Sequence, residues 1–269
     1  MLESLLRPKK AEKGPWDVFF IAIMFSFIGV SFALQIFPAQ ASVFAISLIT
    51  IMFMPFFQKY FELEERKDYK LHKNLLVRHK KLFYVFGLFF VGTIVALSFI
   101  YVFFPHARPA FEMQEDWFRS QGKTITGQTG QVTQGEDFSL FLINNTQVLL
   151  IMFILSTMFG AGAIFILAWN ASVIAVYVGF AINSFIRNGV SPEMAYLLGV
   201  PAGLGSIALH GVPEIAAYFV AALAGGMLSV AIIREKFKGH FEKIFIDSIA
   251  FLALAEVLII VAAFLEAYV

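Results

Sequence analysis

The stretch IALHGVPEIAAYFVAALAGG, residues 207–226, decides how this chain is interpreted. It is apolar almost throughout, as a segment inside a lipid bilayer is, yet it carries His210 and Glu214 four residues apart, with Gly211 and Pro213 between them. Charged side chains in hydrocarbon are costly and usually mark a functional site or a contact between helices. The pair is therefore the first candidate site.

The composition of the whole chain places this stretch in a multi-pass membrane protein. The 269 residues are 59% hydrophobic and their mean hydropathy is +0.78, which is more apolar surface than a water-soluble fold can bury. Repeated apolar runs of about 20 residues predict an all-α, polytopic transmembrane helical bundle, with residues 1–269 as a single transmembrane domain. The chain has no cysteine, which excludes disulfide and thiolate chemistry.

The apolar runs predict about seven spans plus one broken, re-entrant element. The expected spans cover residues 17–37, 42–57, 82–104, 145–168, 172–186, 213–233 and 245–267. Residues 193–209 are rich in glycine and proline, and proline removes a backbone donor and clashes with the preceding turn. We expect them to enter and leave the membrane on one side, with an eighth full span as the alternative. The expected structural breaks are Pro201, Gly203, Gly211 and Pro213.

The basic residues predict the orientation. Most of the 20 lysines and arginines lie in residues 1–16, 58–81 and 234–243, and such stretches face the cytoplasm. In a cell membrane this puts the amino terminus in the cytoplasm and the carboxyl terminus outside. Residues 58–81 contain good helix formers and predict a solvated cytoplasmic helical hairpin, and the acidic residues 105–143 predict an extracytoplasmic loop.

A polar centre inside the membrane is predicted around His210 and Glu214. The sixth span is expected to begin near Pro213, which suits the first position of a helix, with Glu214 in its first turn, where a negative charge is favoured. Asn170, expected at the break between the fourth and fifth spans, and Glu256, midway along the last span, are the candidate neighbours.

The sequence allows three interpretations of this polar centre. It can be a structural clasp between helices, a conduction or proton-linked pathway, or a metal site for hydrolysis with His210, Glu214 and Glu256 as ligands. The chain has five histidines and no HExxH motif. We therefore expect a non-enzymatic protein without cofactor or metal, either partner-organising or channel- or transporter-like, with an intramembrane metal-dependent hydrolase as the alternative.

Small residues at four-residue spacing predict close helix packing, within the chain or between copies. The residues singled out for this are Gly160, Gly162, Gly199, Gly225 and Gly226. The expected partners are the lipid bilayer, a second copy of the chain, with a dimer favoured, and a membrane or cytoplasmic protein. Nothing in the sequence indicates nucleic-acid binding.

Residues 209–226 resemble the His-Gly-x-x-Glu-x-x-Ala…Ala-Gly signature of the stage II sporulation protein M family. Residues 159–180 support the resemblance, although Asn170 is followed by Ala171, where the family usually has glycine. The likeness covers roughly residues 140–235. It implies a multi-pass, non-enzymatic membrane protein in which Asn170, His210, Gly211, Pro213 and Glu214 matter. The family's sporulating namesake recruits cell-wall-degrading partners, a role that is not carried over to this chain.

Overall fold

The computed structural model describes residues 7–70, 75–120, 134–234 and 241–268. Within these ranges the chain is helical, with no strand. The nine α-helices are α1 (Pro8–Ala11), α2 (Trp16–Ile36), α3 (Ala41–Lys70), α4 (Leu75–Phe103), α5 (Glu112–Ser120), α6 (Gln134–Phe159), α7 (Ala163–Arg187), α8 (Pro192–Arg234) and α9 (Phe241–Tyr268). Two 3-10 segments, Pro38–Gln40 and Pro105–Phe111, precede α3 and α5.

Seven of these helices are long and apolar enough to cross a membrane, namely α2, α3, α4, α6, α7, α8 and α9. This confirms the predicted all-α polytopic bundle. The spans form helices because the bilayer offers their backbone groups no hydrogen-bonding partner, so each segment has to satisfy its own donors and acceptors.

Side-chain contacts show which helix ends lie together. At one end Lys81 of α4 pairs with Glu12, which precedes α2, and Gln58 of α3 donates to the backbone carbonyl of Phe159, where α6 ends. We call this the basic end of the bundle. At the opposite end Phe103 of α4 contacts the ring of Tyr196, near the start of α8.

Helix α8 is the central helix of the fold. Its 43 residues make it about 65 Å long at 1.5 Å per residue, roughly twice the thickness of the hydrocarbon layer. Residues 217–231 are buried except for Phe219, which stacks on Phe86 of α4. Helices α6, α7 and α9 make the most extensive contacts with α8.

The expected re-entrant break over residues 193–209 is wrong, because α8 runs through these residues without interruption. The backbone stays α-helical through Pro201, Gly203, Gly211 and Pro213, so no new helix begins at Pro213. A proline inside a span removes one hydrogen bond, and neighbouring helices can compensate for that loss. Gly203 serves close packing rather than a bend, since a Cβ at this position would lie 3.2 Å from Cα of Val178 in α7.

The turn between the fourth and fifth spans also differs from the prediction. It lies at residues 160–162, and Asn170 is inside α7. Gly160 has a φ of +71°, a conformation that costs a side-chain-bearing residue energy. At Gly162 a Cβ would lie 2.4 Å from the carbonyl oxygen of Leu155. The two glycines therefore make a tight turn.

The predicted extracytoplasmic loop contains ordered helix. The 3-10 segment Pro105–Phe111 and helix α5 pack against the bundle, and α6 already begins at Gln134. Ser42 of α3 donates to the carbonyl of Pro109 at 3.1 Å. The amide nitrogen of the buried Gln114 lies 2.9 Å from the hydroxyl of Ser172 in α7. Helix α5 therefore sits against the interior of the bundle.

Candidate functional site

The predicted His–Glu pair lies on one face of α8. Because the helix is continuous, His210, Glu214 and Tyr218 follow one another at intervals of four residues, which places them on neighbouring turns of the same side. His210 and Glu214 are partly buried, and Tyr218 is fully buried. The hydroxyl of Tyr218 donates to the carboxylate of Glu214. His210 also interacts within the structure.

A second carboxylate belongs to this site. Glu266 of α9 is close enough to Glu214 and Tyr218 for its charge to act on both of them. Two carboxylates near each other in a poorly hydrated place repel strongly. Glu266 therefore adds negative charge on the side of α8 that carries Glu214 and Tyr218. Sequence analysis missed Glu266, because a glutamate three residues from the carboxyl terminus looks like an exposed helix end.

The other two predicted members are bonded elsewhere. Asn170 donates from Nδ2 to the carbonyl of Ile166 in its own helix at 2.9 Å. Glu256 accepts a hydrogen bond from the hydroxyl of Thr146 at 2.7 Å, which joins α9 to α6. Neither hydrogen bond reaches His210 or Glu214. The four residues therefore do not form one hydrogen-bonded centre through these contacts.

Among residues 7–70, 75–120, 134–234 and 241–268, no group of three or more histidine or acidic side chains is arranged to hold a metal ion. The sequence-level alternative needed His210, Glu214 and Glu256 as a ligand set, and Glu256 is bonded to Thr146 on α6.

Three of the predicted packing glycines lie where helices approach closely. A Cβ at Gly199 would be 2.7 Å from Cα of Ile182 in α7. At Gly225 it would be 2.5 Å from the carbonyl oxygen of Phe153 in α6, and at Gly226 it would be 2.7 Å from the ring of Phe61 in α3. These glycines let α8 approach the backbones of α6 and α7 and the ring of Phe61 in α3 closely.

Comparison with known families agrees with this architecture. The family model for stage II sporulation protein M matches residues 82–269, which is most of the chain. The chain belongs to the stage II sporulation protein M family. The match begins within α4 and runs through α9, so it includes the last helix, which the sequence resemblance did not cover. No curated protein and no solved structure gave a match.

A completely buried ionisable pair precedes the residues matched to the stage II sporulation protein M family. Nδ1 of His79 lies 2.6 Å from Oε2 of Glu64, and both side chains are completely buried. The ring of His79 also packs edge-on against Phe251 of α9, with ring centres 5.8 Å apart. The pair thus joins the basic ends of α3 and α4 and rests on α9.

The sequence analysis placed both residues in a solvated hairpin, which is wrong for this pair. Glu64 lies three and seven residues after the buried Phe61 and Phe57, and His79 lies seven residues before the buried Phe86. That spacing puts both polar groups on the core-facing sides of their helices. This spacing is visible in the sequence, but the many charged residues around it indicate a solvated helix instead.

Proposed function

We propose that this protein is a non-enzymatic component of the cell membrane that organises partner proteins and assembles with a second copy of itself. The observation that carries the proposal is the unequal burial of α8. Residues 217–231 are enclosed by the bundle, whereas residues 192–212 are mostly exposed. In that half, buried positions such as Ala195, Gly199 and Gly203 face α7.

The opposite face of this half forms an exposed stripe with the spacing of a helix–helix seam. Its members alternate at intervals of four and three residues, as the contact positions of paired helices do. They are Met194, Leu198, Pro201, Gly205, Ala208 and Val212, all exposed. The centre of the stripe is small and its ends are larger, which suits a close crossing of two helices.

Gly205 gives the stripe a specific reason to face another helix. No atom lies within 4 Å of the place where its Cβ would be, and glycine costs roughly 1 kcal/mol in a helix relative to alanine. At Gly199, Gly225 and Gly226 of the same helix, the glycine allows a neighbouring helix to approach. If a second copy packs on the stripe, Gly205 likewise allows a helix of that copy to approach closely.

Neighbouring helices hold the enclosed half of α8 in place, so this half supports the exposed half that carries the stripe. Ser156 of α6 donates to the carbonyl of Ala222, and Ser248 of α9 donates to the carbonyl of Ala224, each at 3.1 Å. Phenylalanine rings fill the surrounding interior, with Phe57 stacked on Phe86. A central helix that is held from several sides suits a scaffold that presents its free half to partners.

The orientation within the membrane is part of the proposal. The basic end of the bundle carries Lys9, Lys10, Lys13, Lys80 and Lys81. The positive-inside rule assigns this end to the cytoplasm. With seven spans, the carboxyl terminus then lies outside, and the exposed half of α8 lies toward the outer leaflet.

Cysteine cross-linking in native membranes tests the self-assembly. The chain has no cysteine, so Gly205→Cys introduces a single thiol on the stripe. We expect oxidation to give a covalent dimer with Gly205→Cys and none with Phe32→Cys, which lies at an exposed position on α2. A cross-link to another protein would show that a different partner, and not a second copy, packs on the stripe. Failure of Gly205→Cys to cross-link at all would leave the stripe facing lipid and contradict the proposal.

A proton- or cation-conducting pathway is the second candidate function. The observation that favours it is the electrostatic effect of Glu266 in α9 on Glu214 in α8, whose carboxylate accepts a hydrogen bond from Tyr218. Carboxylates inside a membrane commonly mark ion paths. Ion flux in liposomes, lost on Glu214→Gln and retained on Glu193→Gln at the exposed start of α8, would support it. Absence of flux in the parent protein would remove it.

A further inference from the structure

A cavity of about 230 Å³ lies at the basic end of the bundle, where the segment before α2 meets α4. Its lining residues are Ala11, Glu12, Pro15, Lys80, Lys81 and Tyr84. The apolar spans of α2 and α4 begin at Trp16 and His79. The cavity therefore lies at the boundary between hydrocarbon and water, where lipid headgroups are found.

The lining of the cavity has a net positive charge, because it carries two lysines and one glutamate. Lys80 makes no ion pair with any residue in the described ranges. Lys81 lies 3.7 Å from the carboxylate of Glu12 and is 55% exposed, and a long, exposed ion pair of this kind contributes little. An anion that enters the cavity meets the ammonium group of Lys80, which has no ion pair among the described residues, and that of Lys81, which is weakly held.

An open apolar strip leads from the cavity along the membrane-facing side of α4. Tyr84 and Val91 are about half exposed, and Gly87 between them has no atom within 4 Å of its would-be Cβ. These three positions follow helical spacing, so they lie on one side of the helix. Trp16 and Phe20 add exposed aromatic surface on α2, and aromatic side chains are typical of the membrane interface.

We propose that this cavity is a binding site for an anionic phospholipid. The phosphate of the headgroup lies between Lys80 and Lys81, because lysine binds phosphate as a compact point charge. One acyl chain lies along Tyr84, Gly87 and Val91, and the missing side chain at Gly87 gives it room. The charge of the lysines selects an anionic lipid over a zwitterionic one.

Quenching of Trp16 fluorescence by brominated lipids tests the proposal. The chain has three tryptophans, so Trp117→Phe and Trp169→Phe leave Trp16 as the only reporter. The full chain is reconstituted in phosphatidylcholine vesicles that contain a minor fraction of brominated phosphatidylglycerol or brominated phosphatidylcholine. We expect the relative association constant near Trp16 to favour the anionic lipid about fivefold for each cavity lysine.

Charge-matched variants separate a built site from general surface attraction. Lys80→Gln with Lys81→Gln is expected to bring the preference close to one. Lys9→Gln with Lys13→Gln removes the same charge from exposed positions that do not line the cavity, and it is expected to keep the preference. Gly87→Leu fills the open strip without changing charge and is expected to lower it.

Three results would overturn the site. One is a parent protein that quenches equally with both lipids. Another is an equal loss of preference in the two lysine pairs, which would show diffuse attraction to the surface. The third is displacement of the brominated phosphatidylglycerol by inorganic phosphate, which would show a site for soluble anions rather than for a lipid.

Discussion

Replacement of His79 tests the buried pair at the basic end of the bundle. Its Nδ1 lies 2.6 Å from Oε2 of Glu64, and both side chains are fully buried. Removal of one partner from a buried pair costs about 3–5 kcal/mol, because the remaining polar group loses its compensation. Glu64 has further contacts, so we expect His79→Leu to cost about 3 kcal/mol, the lower end of that range.

The double variant Glu64→Leu with His79→Leu removes both polar groups and leaves an apolar contact of similar volume, which is often nearly neutral. Thermal unfolding of the purified protein in detergent measures the difference. At about 2–4 °C per kcal/mol for a chain of this size, His79→Leu is expected to unfold roughly 6–12 °C below the parent. The double variant is expected to unfold at a higher temperature than His79→Leu alone.

The control for these variants is Lys13→Gln, which changes an exposed lysine outside the pair and outside the cavity and is expected to leave the unfolding temperature unchanged. The reasoning is refuted if the losses of Glu64→Leu and His79→Leu simply add in the double variant. Additive losses would mean that the two side chains do not stabilise each other.

Three further substitutions test contacts elsewhere in the bundle by thermal unfolding. Gly160→Ala places a side chain at a φ of +71° and is expected to cost about 1–2 kcal/mol; an unchanged unfolding temperature would contradict the glycine turn. Gly226→Ala puts a methyl group 2.7 Å from the ring of Phe61 and is expected to cost about 1–3 kcal/mol by overpacking; full stability would show that α3 and α8 are not in close contact. Thr146→Val removes the donor to Glu256 and is expected to cost about 1–3 kcal/mol, whereas Thr157→Val, whose hydroxyl bonds only to its own helix, is expected to cost less; equal losses would argue against the link between α6 and α9.

The spans are predictable from sequence because the bilayer imposes both their length and their apolar character. The helices Trp16–Ile36 and Phe241–Tyr268 lie where runs of hydropathy place them. Small residues were also informative, since Gly199, Gly225 and Gly226 lie where helices approach closely. These features depend on local composition, so one sequence is enough to show them.

The errors arise where a residue type has more than one structural use. Asn170 and Gly160 are both able to end a helix, and only the packing shows that the turn lies at Gly160. Pro201 and Pro213 are able to break a helix or to lie within a continuous one. The tertiary contacts of α8 decide in favour of continuity, and the distribution of prolines alone does not reveal those contacts.

The candidate site is only partly predictable for a related reason. His210 and Glu214 are visible because they interrupt an apolar stretch, whereas Glu266 contributes through its position on a neighbouring helix. Glu64 and His79 lie next to many charged residues that do not share their burial. Which charged residue of such a run turns inward is decided by helix packing, so periodicity has to be weighed together with composition.

A distance between two copies of the chain tests the central claim most directly. A spin label on Ala208→Cys, a small and exposed residue of the stripe of α8, reports this distance in liposomes by pulsed electron paramagnetic resonance. Two helices packed along the stripe have axes about 8–10 Å apart, so we expect a dominant distance below roughly 25 Å. The same label on Val257→Cys, on the exposed side of α9, is expected to give longer distances. An Ala208→Cys signal without dipolar modulation would show that no second copy packs on α8.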